Sequence, residues 1–306
     1  HAPGMEHVRE MVTGPIIPTP GAVMECTKLL YEYLGDLIVL DVGGATTDLH
    51  SVTVESDQVA RLMISPEPKA KRTVEGDLGV YVNRWKVVES IGEEKLREQC
   101  REQGFSMEHA LETYRAIPKT EEEVKLVELL TREAVVKAAE RHAGRLRYIY
   151  GPSGRSTVAE GKDLTQVKYI VGTGGALTRL PHREEIMREI TRCNESGMLL
   201  LPGEHAQILV DHDYIMASLG VLSKRYPQAA ARLLEQSLGM TFPERKAEEP
   251  VPVCNKELSR LETQRQQREE ELQRHIEECE AMGYDMSAYR ENRPKAGDCS
   301  HECSRC

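Results

Sequence analysis

Nowhere in the 306 residues does an apolar run approach the ~18 consecutive positions needed to span a bilayer. No membrane-spanning helix is therefore expected. A basic excess is missing too: 50 Asp and Glu outweigh 40 Lys and Arg, for a formal net charge of -10. Nucleic-acid binders normally present a basic face that displaces counterions from phosphates, so a nucleic-acid partner is not expected. His1 to Arg9 have neither the charged start nor the apolar stretch of a secretory leader, and no internal repeat is found. The first residue is not Met, so the expectation is a fragment or a processed chain. Nor do the eight cysteines suggest a disulfide framework. Cys26, Cys100 and Cys193 fall singly among apolar or helical residues and read as ordinary thiols, whereas Cys299, Cys303 and Cys306 crowd into the last eight positions. That asymmetry suits a reducing compartment, and the cytoplasm is expected.

What is present suits a packed, soluble protein, with 40% apolar and 29% charged residues. Thr19-Pro20 reads as an N-cap followed by proline in the first helical position. Ala22, Cys26, Leu29 and Leu30 then recur at helical spacing up to a closing Gly35. Asp36–Val42 fits a buried strand, and Leu49–Val54 alternates like the return strand of a hairpin. Thr73–Glu89 reads as helical, as do Glu93–Gln103 and Met107–Arg115. Thr120 and Glu123 form a capping box for a helix that buries Val127, Leu130, Ala134 and Ala138 and ends near His142. A hairpin is expected over Arg145–Tyr150 and Ser156–Glu160, then strands at Lys168–Val171 and near Met198–Leu201. Further helices are expected at about 183–193, at Asp213–Leu222 and after Pro227. Interleaved strands and helices give an α/β class. From Glu244 the composition shifts to a charged helix over 255–281 and then a Cys-rich tail.

Two glycine turns carry the candidate chemistry, and both suggest ATP binding. In DVGGATTD (Asp41–Asp48) a strand ends in Gly43-Gly44, which leaves backbone N–H groups open to a phosphate. Ala45 completes the turn, Thr46 and Thr47 offer hydroxyls, and Asp41 and Asp48 can hold hydrated Mg2+ or orient an attacking water. A tight hairpin turn would use the same residues for geometry alone. In VGTGGAL (Val171–Leu177) a strand meets Gly172, Thr173, Gly174 and Gly175, a flat backbone against which a purine and its ribose can pack. A strand-to-helix turn needing positive φ is the alternative. Glu75-Gly76-Asp77 either opens a helix that lines a nucleotide or simply caps one. Lys162-Asp163 reads as a solvated turn rather than a ligand.

The order of these segments resembles the actin-like (ribonuclease H-like) ATPase superfamily, in which two lobes clamp ATP. Thr19–Leu30 is similar to its first connecting helix, Asp41–Asp48 to its second phosphate loop, Val171–Leu177 to its adenosine loop and Asp213–Gly220 to its second connecting helix. Ala22, Ala217 and Gly220 would let those two helices cross closely. More narrowly, DVGGATTDLHSV, RTVEGDLG, GKDLTQVKYIVGTGGALTRL and DHDYIMA resemble the MutL-type (GlmL) accessory proteins of adenosylcobalamin-dependent glutamate mutase and related aminomutases, over roughly residues 1–225. The resemblance implies an ATPase that reactivates or chaperones such a mutase. Asp48 would be the metal-organising acid, Thr46 and Thr47 phosphate contacts, and Gly172, Gly174 and Gly175 the adenosine floor. It also implies connecting helices in 1–34, a second lobe in 35–210, a second connecting helix and C-terminal helix in 211–243, and the charged helix and tail in 244–306. The superfamily's first phosphate loop is not found upstream of Thr19, so the first lobe is expected to be largely missing. Other readings are a non-catalytic nucleotide-binding scaffold or switch, a metal-handling protein and, less favoured, a small-molecule kinase.

The metal-handling reading rests on Cys299, His301, Cys303 and Cys306, whose spacing suits Zn2+ or three corners of an iron–sulfur cluster. Cys254 or Cys279 could add a ligand. A tail of free thiols is the alternative.

Overall fold

A computed structural model describes residues 16–243, except Ser153 and Glu195, together with Arg274. The charged segment 255–281, apart from Arg274, and the Cys-rich tail lie outside the described residues. Helix α1 (Thr19–Leu34) buries Ala22, Val23, Cys26, Leu29 and Leu30 on one side. Its N-cap is Pro18 rather than Thr19, and no side chain caps it: Pro20 in the first turn removes one of the donors a cap would serve. Gly35 ends it at φ 77, its N–H donating to the Tyr31 carbonyl at 2.9 Å. The bare backbone tolerates this conformation without a Cβ clash.

Strand β1 (Leu37–Val42) pairs antiparallel with β2 (Thr47–Val52), and β2 pairs antiparallel with β3 (Ala70–Glu75). A one-turn helix, α2 (Asp57–Ala60), lies between β2 and β3. The expected helix over Thr73–Glu89 is thus corrected: its first residues form an edge strand, and helix α3 begins only at Arg84, running to Ile91. Ala70-Lys-Arg-Thr-Val-Glu75 is locally neutral between the two states, and the open hydrogen-bonding edge of β2 decides it. Gly76 and Gly79 then prevent a continuous helix.

Helices α4 (Glu93–Glu102) and α5 (Met107–Glu112) follow, then α6 (Glu121–His142) with both halves of the Thr120–Glu123 capping box in place. Strands β4 (Arg145–Gly151) and β5 (Gly154–Glu160) form a separate two-stranded ribbon. Strand β6 (Tyr169–Thr173) runs straight into α7 (Gly174–Arg179), followed by α8 (Arg183–Arg188) and a 3-10 turn. Met198–Leu201 is not a strand; Leu199 makes only an isolated bridge to Arg145. The strand lies instead at β7 (Gln207–Val210), before α9 (Met216–Ser223) and α10 (Pro227–Leu238).

The five-stranded sheet has the order β3-β2-β1-β6-β7, with β1, β6 and β7 parallel. Alternation on β1 divides the core. Ile38, Leu40 and Val42 pack with residues of α3 to α6 and α8, while Leu37 and Val39 pack with α1, α9 and α10. A strand apolar on both faces is what a two-layer helical cover requires. The α1–α9 crossing depends on Gly220, where a Cβ would lie 1.8 Å from the Ala22 carbonyl oxygen. The expected close crossing is therefore present.

Lys162 and Asp163 are corrected from a solvated turn to fully buried groups. Lys162 Nζ donates to the Thr53 and Pro68 carbonyls at 2.9 and 2.8 Å. Asp163 accepts from Ser56 N–H and Oγ at 3.0 Å each and from Thr165 N–H and Oγ1 at 2.9 and 2.7 Å. Burial pushes the Lys162 ammonium down, and the hydrogen bonds are what make its burial tolerable.

Candidate functional site

The sheet places Asp41 directly opposite Asp48 on the β1–β2 ladder. Cross-strand partners share a face, so both carboxylates point to the side covered by α1 and α9. Between them the chain turns through Gly43–Thr46, with Gly43 N–H donating to the Thr46 carbonyl at 2.9 Å. Gly44 and Ala45 are exposed at the tip.

A second segment supports this turn from below. The N–H groups of Val80, Tyr81 and Val82 donate to the Gly43 and Gly44 carbonyls at 3.2, 2.9 and 2.7 Å. Asn83 Nδ2 donates to the Ala45 and Gly76 carbonyls at 2.7 and 2.8 Å. A Cβ on Gly79 would sit 2.2 Å from the Ala45 carbonyl group, so only glycine admits this approach. With its carbonyls engaged below, the turn keeps a fixed shape.

Thr47, by contrast, turns away: it is buried and its Oγ1 donates to the Leu78 carbonyl at 2.8 Å. Thr46 Oγ1 donates to Asp48 Oδ2 at 3.0 Å. Asp48 is only 3% exposed, and among the described residues nothing donates to its Oδ1. An orphaned, buried carboxylate oxygen costs free energy unless something cationic or protic joins it. Burial raises the Asp48 pKa, opposed by the Thr46 hydrogen bond and by Arg72. Asp41 rises to about 6, through burial first, then Asp48, then Asp211.

The second glycine turn lies beside the first. Gly174 has φ 85, and a Cβ there would fall 2.5 Å from Asp41 Oδ1 and 2.6 Å from Val42 N and O. The two glycine motifs, 131 positions apart (174 minus 43), are thus in contact through Asp41. Gly172 is packed under Met187, whereas Gly175 is exposed with nothing within 4 Å of its Cβ direction. Thr173 Oγ1 donates to Asp211 Oδ2 at 2.8 Å.

Asp211 was not among the expected site residues, yet it organises this edge. It is fully buried, its N–H donates to the Gly172 carbonyl at 2.9 Å, and its Oδ1 accepts from Ser237 Oγ at 2.6 Å. It also receives the Ile215 and Met216 N–H groups at 3.2 and 3.0 Å. The carboxylate thus takes N–H groups at the start of α9, which begins at Met216 rather than at Asp213. An Asp four or five residues before a small-residue helix was the available signal.

Glu75 and Asp77 do not open a helix; Gly76-Asp77 is a turn. Their carboxylates are engaged by Arg141 from α6, at 2.6 Å for Glu75 and 2.7 and 2.8 Å for the two Asp77 oxygens. The bidentate guanidinium holds the Asp77 carboxyl below its usual range. These two acids therefore stand beside the first turn as an ion-pair cluster rather than as open ligands. Among the described residues no group of three or more His, Cys, Asp and Glu side chains could hold a metal ion, and no helix is long and apolar enough to cross a membrane. Cys299, His301, Cys303 and Cys306 lie outside the described residues.

Two comparisons with known proteins agree. A protein family described as MutL protein matches residues 1–238. Protein MutL of Clostridium tetanomorphum is 34% identical over 249 residues, covering 78% of this chain and 54% of that protein. The chain therefore spans about half the length of the curated relative it matches.

Proposed function

Since the chain belongs to the MutL protein family, we propose that it is the nucleotide-binding part of an ATP-dependent accessory protein that reactivates or chaperones an adenosylcobalamin-dependent mutase of the glutamate mutase type. The observation that carries the nucleotide reading is the meeting of both glycine turns at Asp41, next to the orphaned Oδ1 of Asp48. An antiparallel β3-β2-β1 meander continued by parallel β6 and β7, with helices on both faces, supports an actin-like lobe. In this reading residues 1–34 contribute the first connecting helix, 35–210 form the second lobe, and 211–243 supply the second connecting helix and the helix after it. Cytoplasmic residence follows from such a partner.

Residues for the ligand are at hand. Gly44 and Ala45 offer exposed backbone to phosphate, in the turn that Gly43 closes through its N–H, with Thr46 beside them. Asp48 and Asp41 would hold Mg2+, which supplies charge neutralisation to the phosphates when bound. Two carboxylates leave most of an octahedral ion's positions to water and phosphate oxygens, the usual arrangement for magnesium nucleotides. Asp41, raised to about 6, is the group through which pH would enter. Gly175, beside Gly172, Thr173 and Gly174, presents open backbone to the adenosine. Glu75 and Asp77 act through Arg141, by bracing the floor of the turn. A zinc or iron–sulfur site at Cys299, His301, Cys303 and Cys306 is a separate proposal, tested by metal analysis with and without those residues.

The test is thermal unfolding of the chain with Mg-ATP and with Mg-ADP. A ligand that binds the folded state raises the melting temperature, by about 2.7 kcal/mol of stabilisation at one hundred times Kd. The rise is expected for wild type and is expected to vanish in Asp48→Ala. No rise in wild type, here and in a longer form of the protein, would sink the nucleotide reading.

A further inference from the structure

Tyr214, at this edge, has no part in the proposed phosphate and adenosine contacts, and the role inferred for it rests on the nucleotide reading. Apart from glycines, Tyr214 alone among the described residues has a positive φ, at 54°. For a bulky side chain the left-handed region is strained, and such strain persists only where surrounding structure enforces it. Here the enforcement is visible. Tyr214 N–H donates to the Asp211 carbonyl at 3.1 Å, and the Asp211 carboxylate takes the next two N–H groups, Ile215 and Met216. Asp211 is itself pinned by Thr173 and Ser237. Packing does not repay the strain, because the Tyr214 side chain remains 52% exposed.

The topology says where that exposed ring stands. Strands β1, β6 and β7 are parallel, so their C-terminal ends share one edge of the sheet. That edge carries Asp41 near the end of β1 and Gly43-Gly44 after it, Gly174-Gly175 after β6, and Asp211 to Tyr214 after β7. Open α/β sheets take ligands outside the carboxyl ends of their strands. Gly175 presents open backbone between the other two groups. Burial raises the Tyr214 phenol, and Asp41 and then Asp211 add to it.

We infer that Tyr214 is a wall of the nucleotide site, its ring stacking on the base of the bound nucleotide beside the bare backbone of Gly175. A strained backbone with an exposed ring is then accounted for: the turn at Asp211 aims the ring, and the base completes its packing. Stacking depends on the base's π-face, so the residue contributes to nucleoside recognition and not to phosphate binding.

The experiment is calorimetric titration of the chain with Mg-ATP and with magnesium tripolyphosphate. It uses wild type, Tyr214→Asn and Tyr214→Phe. Asparagine tolerates the left-handed region, so its variant should fold with an unchanged or higher melting temperature. The expected result is roughly tenfold weaker ATP binding by Tyr214→Asn, the size of one base–aromatic stack, with tripolyphosphate affinity unchanged. Tyr214→Phe should bind ATP within about twofold of wild type. Unchanged ATP binding by Tyr214→Asn overturns the inference while leaving the nucleotide site intact. Equal losses for ATP and tripolyphosphate overturn it too, since the residue would then act by shaping the phosphate turn. Failure of wild type to bind ATP removes the nucleotide reading and this inference with it.

Discussion

Asp41 and Asp48 face each other across a single antiparallel pair, a placement that like charges oppose. Because Asp41 titrates near 6 in the fold against 3.8 for the free side chain, the folded state favours its protonated form. The associated stability is fully present below 3.8 and is lost as pH rises through about 6. Above that, the charged carboxylate opposes folding by up to about 3 kcal/mol. Asp41→Asn should therefore be more stable than wild type at pH 8, with the gain gone by about pH 4. Urea midpoints at the two pH values measure this, and a variant no more stable at pH 8 contradicts it. Much of the site at this scale was legible in the sequence, because DVGGATTD is contiguous and its two acids bracket the turn. The engagement of Glu75 and Asp77 by Arg141 was not, since it joins residues 66 and 64 positions apart. Nor was the centrality of Asp211, whose partners lie in three separate elements.

At the scale of elements, local signals and packing agree in some places and part in others. The capping box, the β4–β5 ribbon and α10 follow from local signals that tertiary contacts only reinforce. Strand β3 does not: its sequence carries no alternation strong enough to announce a strand, and its identity comes from the edge of β2. Strand β7 was hidden for a related reason, since four residues give too short a pattern to separate from loop. The α1–α9 crossing was legible through its small residues, and it makes a sharp prediction. Gly220→Ala puts a methyl 1.8 Å from the Ala22 carbonyl oxygen, a contact with backbone that no rotamer change relieves. Overpacking of this kind costs typically 1–3 kcal/mol and sometimes more. The denaturant midpoint should fall accordingly. Val221→Ala, at an exposed position on the same helix, should move it by less than about 0.5 kcal/mol.

For the molecule as a whole, one sheet carries two cores, and protection should follow depth. Strands β1 and β6 lie inside the five-stranded sheet, while β4 shows five consecutive exposed residues in a two-stranded ribbon. Two-stranded ribbons are marginal on their own. Native-state hydrogen exchange should therefore find the amides of 145–151 and 154–160 opening at least about a hundredfold more readily than those of 37–42. Equal protection would mean that the ribbon opens only with the whole fold. The α/β class and the pairing of distant glycine turns were readable at this scale because they rest on element order. The burial of Lys162 and Asp163 was not, because it depends on β2 and the loop before β3 closing over them. The bare crossing at Gly220 has a mechanical consequence. Two helices that touch backbone to backbone at one point share a fulcrum there. From Ala22 to the end of α1 at Leu34 is twelve residues, about 18 Å of rigid rod. A tilt of about 10° there sweeps the rod's end by about 3 Å. That end feeds through Gly35 into β1, so the arm of this lever is tied to the strand that carries Asp41.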